Sequence, residues 1–503
     1  MEALAGLLHG FQVFLTPYNL ALVVLGIFMG AVVGVLPGLG VANGVAILIP
    51  MTFKMPPTSA IILLAAIYWG GLFSGVITSI LFNIPGEPWS VATTFDGYPM
   101  AKRGQACEAL TAAFCSHFVG AVVATLMLTF FAPLVAEFSL RFGPPEIFGL
   151  LLLGFTMVTY LAGASKLKAV AMALLGLFLG TVGLDPVTAT PRFTFGTITL
   201  MDGIGLVPII MGLFGIAEVL LNLEKGVRQE VFKAQIQGLF PSRQQWKASA
   251  APIARGSVLG FFLGILPGIG AIIPTFLSYA LEKRLSKHPE RFGTGVIEGV
   301  AAPESANNAA TGGSMIPLLT LGIPPNVVMA VLLGAFLVHG IQPGPLLVKE
   351  HPEIFWGVIA SMYIGNVMLV ILNVPLIGLW VQLLKVPYGV LFPLILLFCI
   401  IGVYTVSANI GDIVTMLIFG VIGYLMKKFD YEPMPLVLAY VLGRMAEESI
   451  RQTLLLSRGS AAIFLDRPIA AAFLGAAVAV VLLPIVVPRF QAAIGKLARL
   501  GES

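Results

Sequence analysis

The chain has 503 residues and a formal charge of +4, with 58% of residues hydrophobic and only 10% charged, against roughly one quarter charged in a soluble globular domain. That composition excludes a soluble domain and describes a membrane protein, and apolar runs such as 203–223 and the one from Pro468 onward are long enough to cross a bilayer as helices. Lys and Arg gather in short loops, so the positive charge reports orientation in the membrane, and no nucleic-acid partner is expected.

The N-terminal MEALAGLLHG has neither a basic region ahead of its apolar residues nor a small-residue cleavage site, so no removable secretory signal is expected. The first apolar run is interrupted at 34–40 by GVLPGLG. Pro37 removes an amide donor, and Gly38 and Gly40 permit a tight turn and close backbone approach. No Lys or Arg precedes Lys54, which lets a hairpin here enter from the outside. From Tyr68 the next run reads YWGGLFSGVITSILFNIPGEP, unusually polar for a membrane helix through Ser74, Thr78, Ser79 and Asn83. Lys102 and Arg103 mark a cytoplasmic turn, the run 107–138 leads to an outer Arg141 loop, and the helix from Pro144 returns to cytoplasmic Lys166 and Lys168. The following loop, with Asp185, Arg192 and Asp202, is outside. Cys107, Cys115 and Cys399 sit in apolar runs without metal-ligand spacing and read as inert core residues.

Residues 224–247 form the most basic loop, with Lys225, Arg228, Lys233, Arg243 and Lys247, and belong in the cytoplasm. Beyond it, GILPGIG at 264–270 repeats the frame of the first breaker, and the next loop, EKRLSKHPERF at 282–292, is basic again. A single span between these two loops would put one basic flank outside. Each arm around the breaker has about fourteen residues, or roughly 21 Å, short of the roughly 30 Å core. The segment therefore reads as a re-entrant hairpin turning at Pro267, Gly268 and Gly270, entering from the side opposite to the first.

The stretch APESANNAATGGSMIP from Ala302 is the most informative polar segment, with Glu304, Ser305, Asn307, Asn308, Thr311 and Ser314. An intramembrane carboxylate is costly and marks function. Amides and hydroxyls hold carboxylates without the grip of a fixed cation, and the same oxygens with freed carbonyls coordinate Na⁺. The competing reading is a small-residue helix interface whose hydroxyls bond back to their own helix. Arg444, Glu447, Glu448 and Arg451, three to four residues apart, read as an internally paired stripe or as the lining of a substrate path. His117 and His339 are isolated and read as polar packing.

The remaining runs end at Lys385, near Asp412, at Lys427 and Lys428, and at Arg489, and only the mixed turn with Arg458, Asp466 and Arg467 departs from the charge alternation. The expected fold is an all-α polytopic membrane protein of two inverted repeats, each a re-entrant hairpin and about five crossings, plus one C-terminal helix. The first repeat covers 1–224, a cytoplasmic linker 225–250, the second repeat 251–458, and a C-terminal helix and tail 459–503. Short paired matches recur in the same order: NIPGEP at 83–88 with GIPPN at 322–326, and GIAE ending at Glu218 with GRMAE ending at Glu447.

Backbone that leaves the helical ladder at membrane depth must be buried in protein or line a polar cavity. Two hairpin tips meeting near the midplane would form one site. The substrate-binding candidates are Gly38, Gly40, Asn43, Ser74, Thr78, Ser79, Asn83, Gly268, Gly270, Asn307, Asn308, Thr311 and Ser314, with Glu304, Asn307 and Asn308 as candidates for a coupling ion. No His-Glu-x-x-His, Gly-x-Ser-Gly or Gly-x-Gly-Asp pattern occurs, NIGD at Asp412 lacking the first glycine, so neither an enzyme nor a cofactor or metal centre is expected. A channel or a non-transporting scaffold is the competing reading.

The segments GVLPGLG, SGVITSILFNIPGEP and ESANNAATGGSMIPLLTLGIPP, with the duplicated layout, resemble the large membrane subunit of the tripartite tricarboxylate transporters over nearly the whole chain. The resemblance implies carboxylate uptake, citrate for example, across a bacterial inner membrane, driven by a Na⁺ or H⁺ gradient. It implies a small membrane subunit and a periplasmic solute-binding protein as partners, beside membrane lipids. NGVAILIP follows the first breaker and AIIPTFL the second, so whether both tips touch substrate stays open.

Overall fold

A computed structural model describes residues 2–36, 40–83, 87–161, 165–185, 188–225, 242–266, 270–383, 393, 396–397, 399–401, 403–404 and 409–482. The described residues are almost entirely helical, with a single two-residue antiparallel pairing, β1 (Gly183–Leu184) with β2 (Pro191–Arg192). Among the described residues, five helices are long and apolar enough to cross a membrane: α2 (Pro17–Val35), most of α4 (Pro57–Phe82), α6 (Ala106–Ser139), α16 (Pro352–Asn373) and α18 (Ile410–Lys428). The chain is a multi-pass membrane protein. It divides into two compact units, one of residues 1–140 with 204–429, the other of 141–203 with 430–503, so each unit draws on both halves of the sequence.

In the first unit two helices that carry hydroxyl and amide side chains are enclosed by protein. The apolar window of α4 is wholly buried, and α13 (Glu298–Leu321) is buried at every position from Gly299 to Thr320. Helices α6 and α18 are the outward ones, exposing Leu126, Phe130, Leu134, Val414, Ile418 and Val421. A polar stripe is costly against hydrocarbon and cheap against protein, so this sorting follows from the side chains.

Two glycine ladders bring the central helices together. Helix α2 carries Gly26, Gly30 and Gly34 on one face and lies along α4; α11 (Arg243–Gly264) carries Gly256, Gly260 and Gly264 and lies along α13. A Cβ at Gly30 would collide with the Ile67 carbonyl, and one at Gly260 with the Ala306 carbonyl. Only glycine allows backbones this close, and van der Waals contact is the force that joins helices where water is absent. Both ladders end at the breaker motifs, so the same spacing recurs in the same place in each half.

After the first breaker the chain continues as α3 (Val41–Leu48), followed by a tight 3₁₀ turn at Ile49–Thr52; after the second it continues as α12 (Ile272–Leu285). The arms of the second hairpin are unequal, not about fourteen residues each. A capping box of Ser242 and Gln245 starts α11 early, in the basic stretch of Arg243 and Lys247, and gives it 22 residues against 14 in α12. The arms return alongside one another, because Arg255 on α11 forks onto Glu282 on α12.

Helices α4 and α13 also end alike, at Asn83 (φ 55°) and Gly322 (φ 68°), both left-handed caps. The chain then passes through Ile-Pro-Gly-Glu or Ile-Pro-Pro-Asn into α5 (Val91–Lys102) or α14 (Val327–Val338). A further interruption lies between α9 (Leu206–Ile210) and α10 (Ala217–Lys225), where Met211–Ile216 form a π turn.

In the second unit, α7 (Pro144–Leu161), α8 (Lys166–Gly180) and α19 (Pro433–Leu456) pack together, with Gly176 of α8 against the Leu436 carbonyl of α19. The charged stripe of α19 is partly paired within itself, Arg451 to Glu447 at 2.6 Å and Arg444 to Glu448 at 3.5 Å. The β1–β2 segment completes it: Arg192 bonds Glu447 at 2.8 Å, and Asp185 receives Arg451 at 3.0 Å.

Candidate functional site

The site is built where each breaker meets the helix break of the following segment. Gly40 stands at the first tip with φ 70°, and Gly270 at the second with φ 57°. Both lie in the left-handed region that glycine enters without strain. At the first tip the Val41 amide, which opens α3, donates to a carboxylate oxygen of Glu87. A Cβ on Gly40 would lie 3.5 Å from that oxygen and 3.3 Å from Nδ2 of Asn43. At the second tip a Cβ on Gly270 would lie 3.6 Å from Cβ of Asn326. Glu87 and Asn326 each follow the left-handed cap of the preceding helix by four residues, so the two contacts are equivalent in the two halves.

Hydroxyls fix both breaks. Ser79 Oγ donates to Ser90 Oγ at 2.9 Å, and Ser90 Oγ donates to the Glu87 carbonyl at 2.8 Å. Ser74 Oγ reaches the carbonyls of Gly70 at 2.9 Å and Ala31 at 3.1 Å, so it ties α4 to α2, while Thr78 bonds back to Gly75. In the second half Ser314 Oγ reaches the carbonyls of Ala310 at 2.8 Å and Gly264 at 3.1 Å, tying α13 to α11. Asn326 receives the Met329 amide on Oδ1 at 3.0 Å and sets Nδ2 3.4 Å from Ser314 Oγ, and Thr311 bonds back to Asn307. Tyr68 on α4 joins the halves through side-chain interactions with both Thr311 and Asn326.

A second buried cluster lies on α13. Glu304, 1% exposed, accepts from Thr93 Oγ1 on α5 and pairs with Nε2 of His117 on α6. Asn308 Nδ2 donates to the His117 carbonyl at 2.9 Å, and Asn307 Nδ2 lies 3.5 Å from His117 Nε2. Among the described residues, His117 Nδ1 and Asn307 Oδ1 are buried polar atoms without a hydrogen-bond partner. Below this cluster Asp96 on α5 gathers the amides of Gly293, Gly295 and Val296 on Oδ1 at 2.7–3.0 Å and the Tyr279 hydroxyl on Oδ2 at 2.9 Å. That fastens the loop ahead of α13 to α5.

Of the residues expected from sequence, the structure brings Gly40 and Asn43 together at the first tip, and Gly270, Thr311 and Ser314 at or beside the second, and groups Glu304 with Asn307 and Asn308. Asn83 is an exposed cap, and Gly38 and Gly268 lie outside the described residues. Sequence reasoning missed Tyr68, Glu87, Thr93 and Asn326, and set His117 aside. The paired NIPGEP and GIPPN segments held the signal for Glu87 and Asn326, since those two residues align when the segments are superposed.

The sequence model of one family, the tripartite tricarboxylate transporter TctA family, matches residues 20–438, an interval that contains both tips, both breaks and the Glu304 cluster. The chain belongs to that family. It is 47% identical over 487 residues, 96% of this chain and 97% of the other, to a protein of Agrobacterium vitis named as an uncharacterized 52.8 kDa protein in the TAR-I ttuC' 3' region. A second protein of that organism, named for the TAR-II ttuC' 3' region, is 52% identical over 224 residues, 44% of this chain and 93% of the other. No solved structure matches the chain. Membership in the TctA family makes this chain a tripartite tricarboxylate transporter subunit, and the tips and breaks are features of that subunit.

Proposed function

We propose that this TctA-family chain is the transporting subunit of a secondary carboxylate importer in a bacterial inner membrane. It takes citrate or a related di- or tricarboxylate from a periplasmic solute-binding protein and works with a small membrane subunit. Na⁺ or H⁺ moving down its gradient supplies the driving force. The observation that carries the reading is the matched pair of tip-to-break contacts, Gly40 with Glu87 and Gly270 with Asn326. Interrupted helices supply unspent amides and carbonyls at depth, which is how transporter folds hold anions and ions near the midplane. The Glu304 cluster, with Asn307 and Asn308, is the place for the coupling ion, since a carboxylate enclosed in a membrane protein is retained for function. The two hairpins entering from opposite sides would give each side of the membrane its own route to the site.

The test is uptake by the complete complex in proteoliposomes, across a panel of carboxylates, with Na⁺ and proton gradients imposed separately. Accumulation of a di- or tricarboxylate under one gradient, dependent on the binding protein and the small subunit, is the expected result. Substrate-dependent counterflow separates a carrier from a channel. A complex that passes carboxylates without counterflow, or carries none, would sink the proposal.

A further inference from the structure

The two tips carry different chemistry at the same place. In the second, Asn326 is neutral, and its Oδ1 caps α14 through the Met329 amide. In the first, the equivalent residue is Glu87, whose carboxylate turns back onto the Val41 amide at the start of α3. A carboxylate on the opening amide of a helix is the contact that a bound carboxylate would itself make there. Glu87 is only 9% exposed, and Ser90 and Ser79 brace its backbone from behind. The first tip thus already holds a carboxylate.

We propose that Glu87 is an internal carboxylate occupying the carboxylate seat of the first tip, so that a substrate carboxylate reaching that tip competes with it, whereas the second tip, with Asn326, sets no such competitor. This rests on the reading of the tips as carboxylate seats and sharpens it. The two halves then do different work: at the second tip, among the described residues, a neutral Asn326 stands where Glu87 stands in the first, and the first becomes available only as Glu87 leaves α3. Departure of Glu87 frees the Val41 amide, so exchange of one carboxylate for another costs that helix terminus no hydrogen bond.

The experiment uses the full chain, purified, and two variants. Glu87→Ala empties the seat; Glu87→Gln keeps the shape and an acceptor for the Val41 amide but removes the charge. Sodium acetate, compared with sodium chloride at equal ionic strength, is the probe for the emptied seat. Acetate at tens of millimolar is expected to raise the unfolding midpoint of Glu87→Ala by about 2 °C and to leave the unmodified chain and Glu87→Gln unshifted. Citrate is the probe for competition. Its binding to Glu87→Gln is expected to tighten about tenfold, because a like charge near the seat is gone.

A folded Glu87→Ala variant that acetate stabilises no more than it does the unmodified chain would overturn the proposal. So would a Glu87→Gln variant that binds citrate equally well or more weakly, which would mark Glu87 as a helix cap alone. If Glu87→Ala does not fold, the citrate comparison on Glu87→Gln decides. Absence of citrate binding in every protein, with the acetate shift present in Glu87→Ala, would retain the seat and overturn the transport reading instead.

Discussion

Arg255 on α11 and Glu282 on α12 form a two-bond fork, Nε to Oε1 at 2.7 Å and Nη2 to Oε2 at 2.6 Å, across the arms of the second hairpin. Glu282 is 4% exposed and Arg255 40%, so the carboxylate depends on its partner far more than the guanidinium does. Removing the arginine strands a buried charge, whereas removing both ends strands nothing. Arg255→Met is therefore expected to lower stability by about 2 kcal/mol, and Arg255→Met with Glu282→Gln by less than the single change. Urea titration of the two proteins in the same micelle checks this. Equal losses would show that the pair does not clamp the hairpin.

The glycine ladders separate packing from turning. Gly260→Val drives a branched side chain into the Ala306 carbonyl, a backbone atom that cannot step aside. Loss of folded protein is expected, by several kcal/mol. Gly268→Val, in the breaker motif of the sequence, is expected to leave insertion and folding largely intact while abolishing transport, on the reading of GILPGIG as a turn that glycine permits. Measuring folded yield and uptake on both variants distinguishes the two roles. A Gly268→Val protein with normal uptake would remove that tip from the mechanism.

Those ladders also show what the sequence concealed. GVLPGLG and GILPGIG were legible as paired breakers, and the helical, multi-pass architecture followed from composition. Three-residue gaps between Gly26, Gly30 and Gly34 and between Gly256, Gly260 and Gly264 are equally visible in the sequence, but only the structure tells that their partners are the carbonyl-bearing faces of α4 and α13 respectively. Glu87 was hard to find because its meaning depends on Val41, forty-six residues away. His117 looked isolated for the same reason: Glu304 lies 187 positions further along and arrives only when α6 packs against α13. Local pattern revealed the breakers, and tertiary proximity was needed to say which polar residue each one meets.

The buried cluster on α13 invites a test of coupling apart from binding. Glu304 has Thr93 and His117 as neighbours and lies away from the tip contacts of Gly40 and Gly270 in the hydrogen-bond network. Glu304→Gln keeps the volume and an acceptor for Thr93 but cannot carry a negative charge. Gradient-driven accumulation is expected to fall by at least about tenfold, as expected for loss of a charged group in a buried network, while counterflow of labelled substrate persists. Loss of both in a folded protein would move Glu304 into the substrate site.

Opposite entrance of the two hairpins is expected from the placement of charge. No Lys or Arg lies ahead of Lys54, whereas Arg243, Lys247, Arg255, Lys283 and Arg284 flank the second hairpin. Basic residues near helix ends stay on the cytoplasmic side. The fork between Arg255 and Glu282 already requires α11 and α12 to run side by side, so both flanks of the second breaker should face the same compartment. Single cysteines placed at Lys54 and Met51 should react with a membrane-impermeant maleimide from the periplasm. Cysteines at Arg284 and Lys247 should react only from the cytoplasm. Met51 is exposed, so a failure to label there would not come from burial within the protein. Labelling of Arg284 and Lys247 from opposite sides would make the second segment a full crossing, remove the inverted relation between the halves, and leave the matched tips as a repeat of local structure alone.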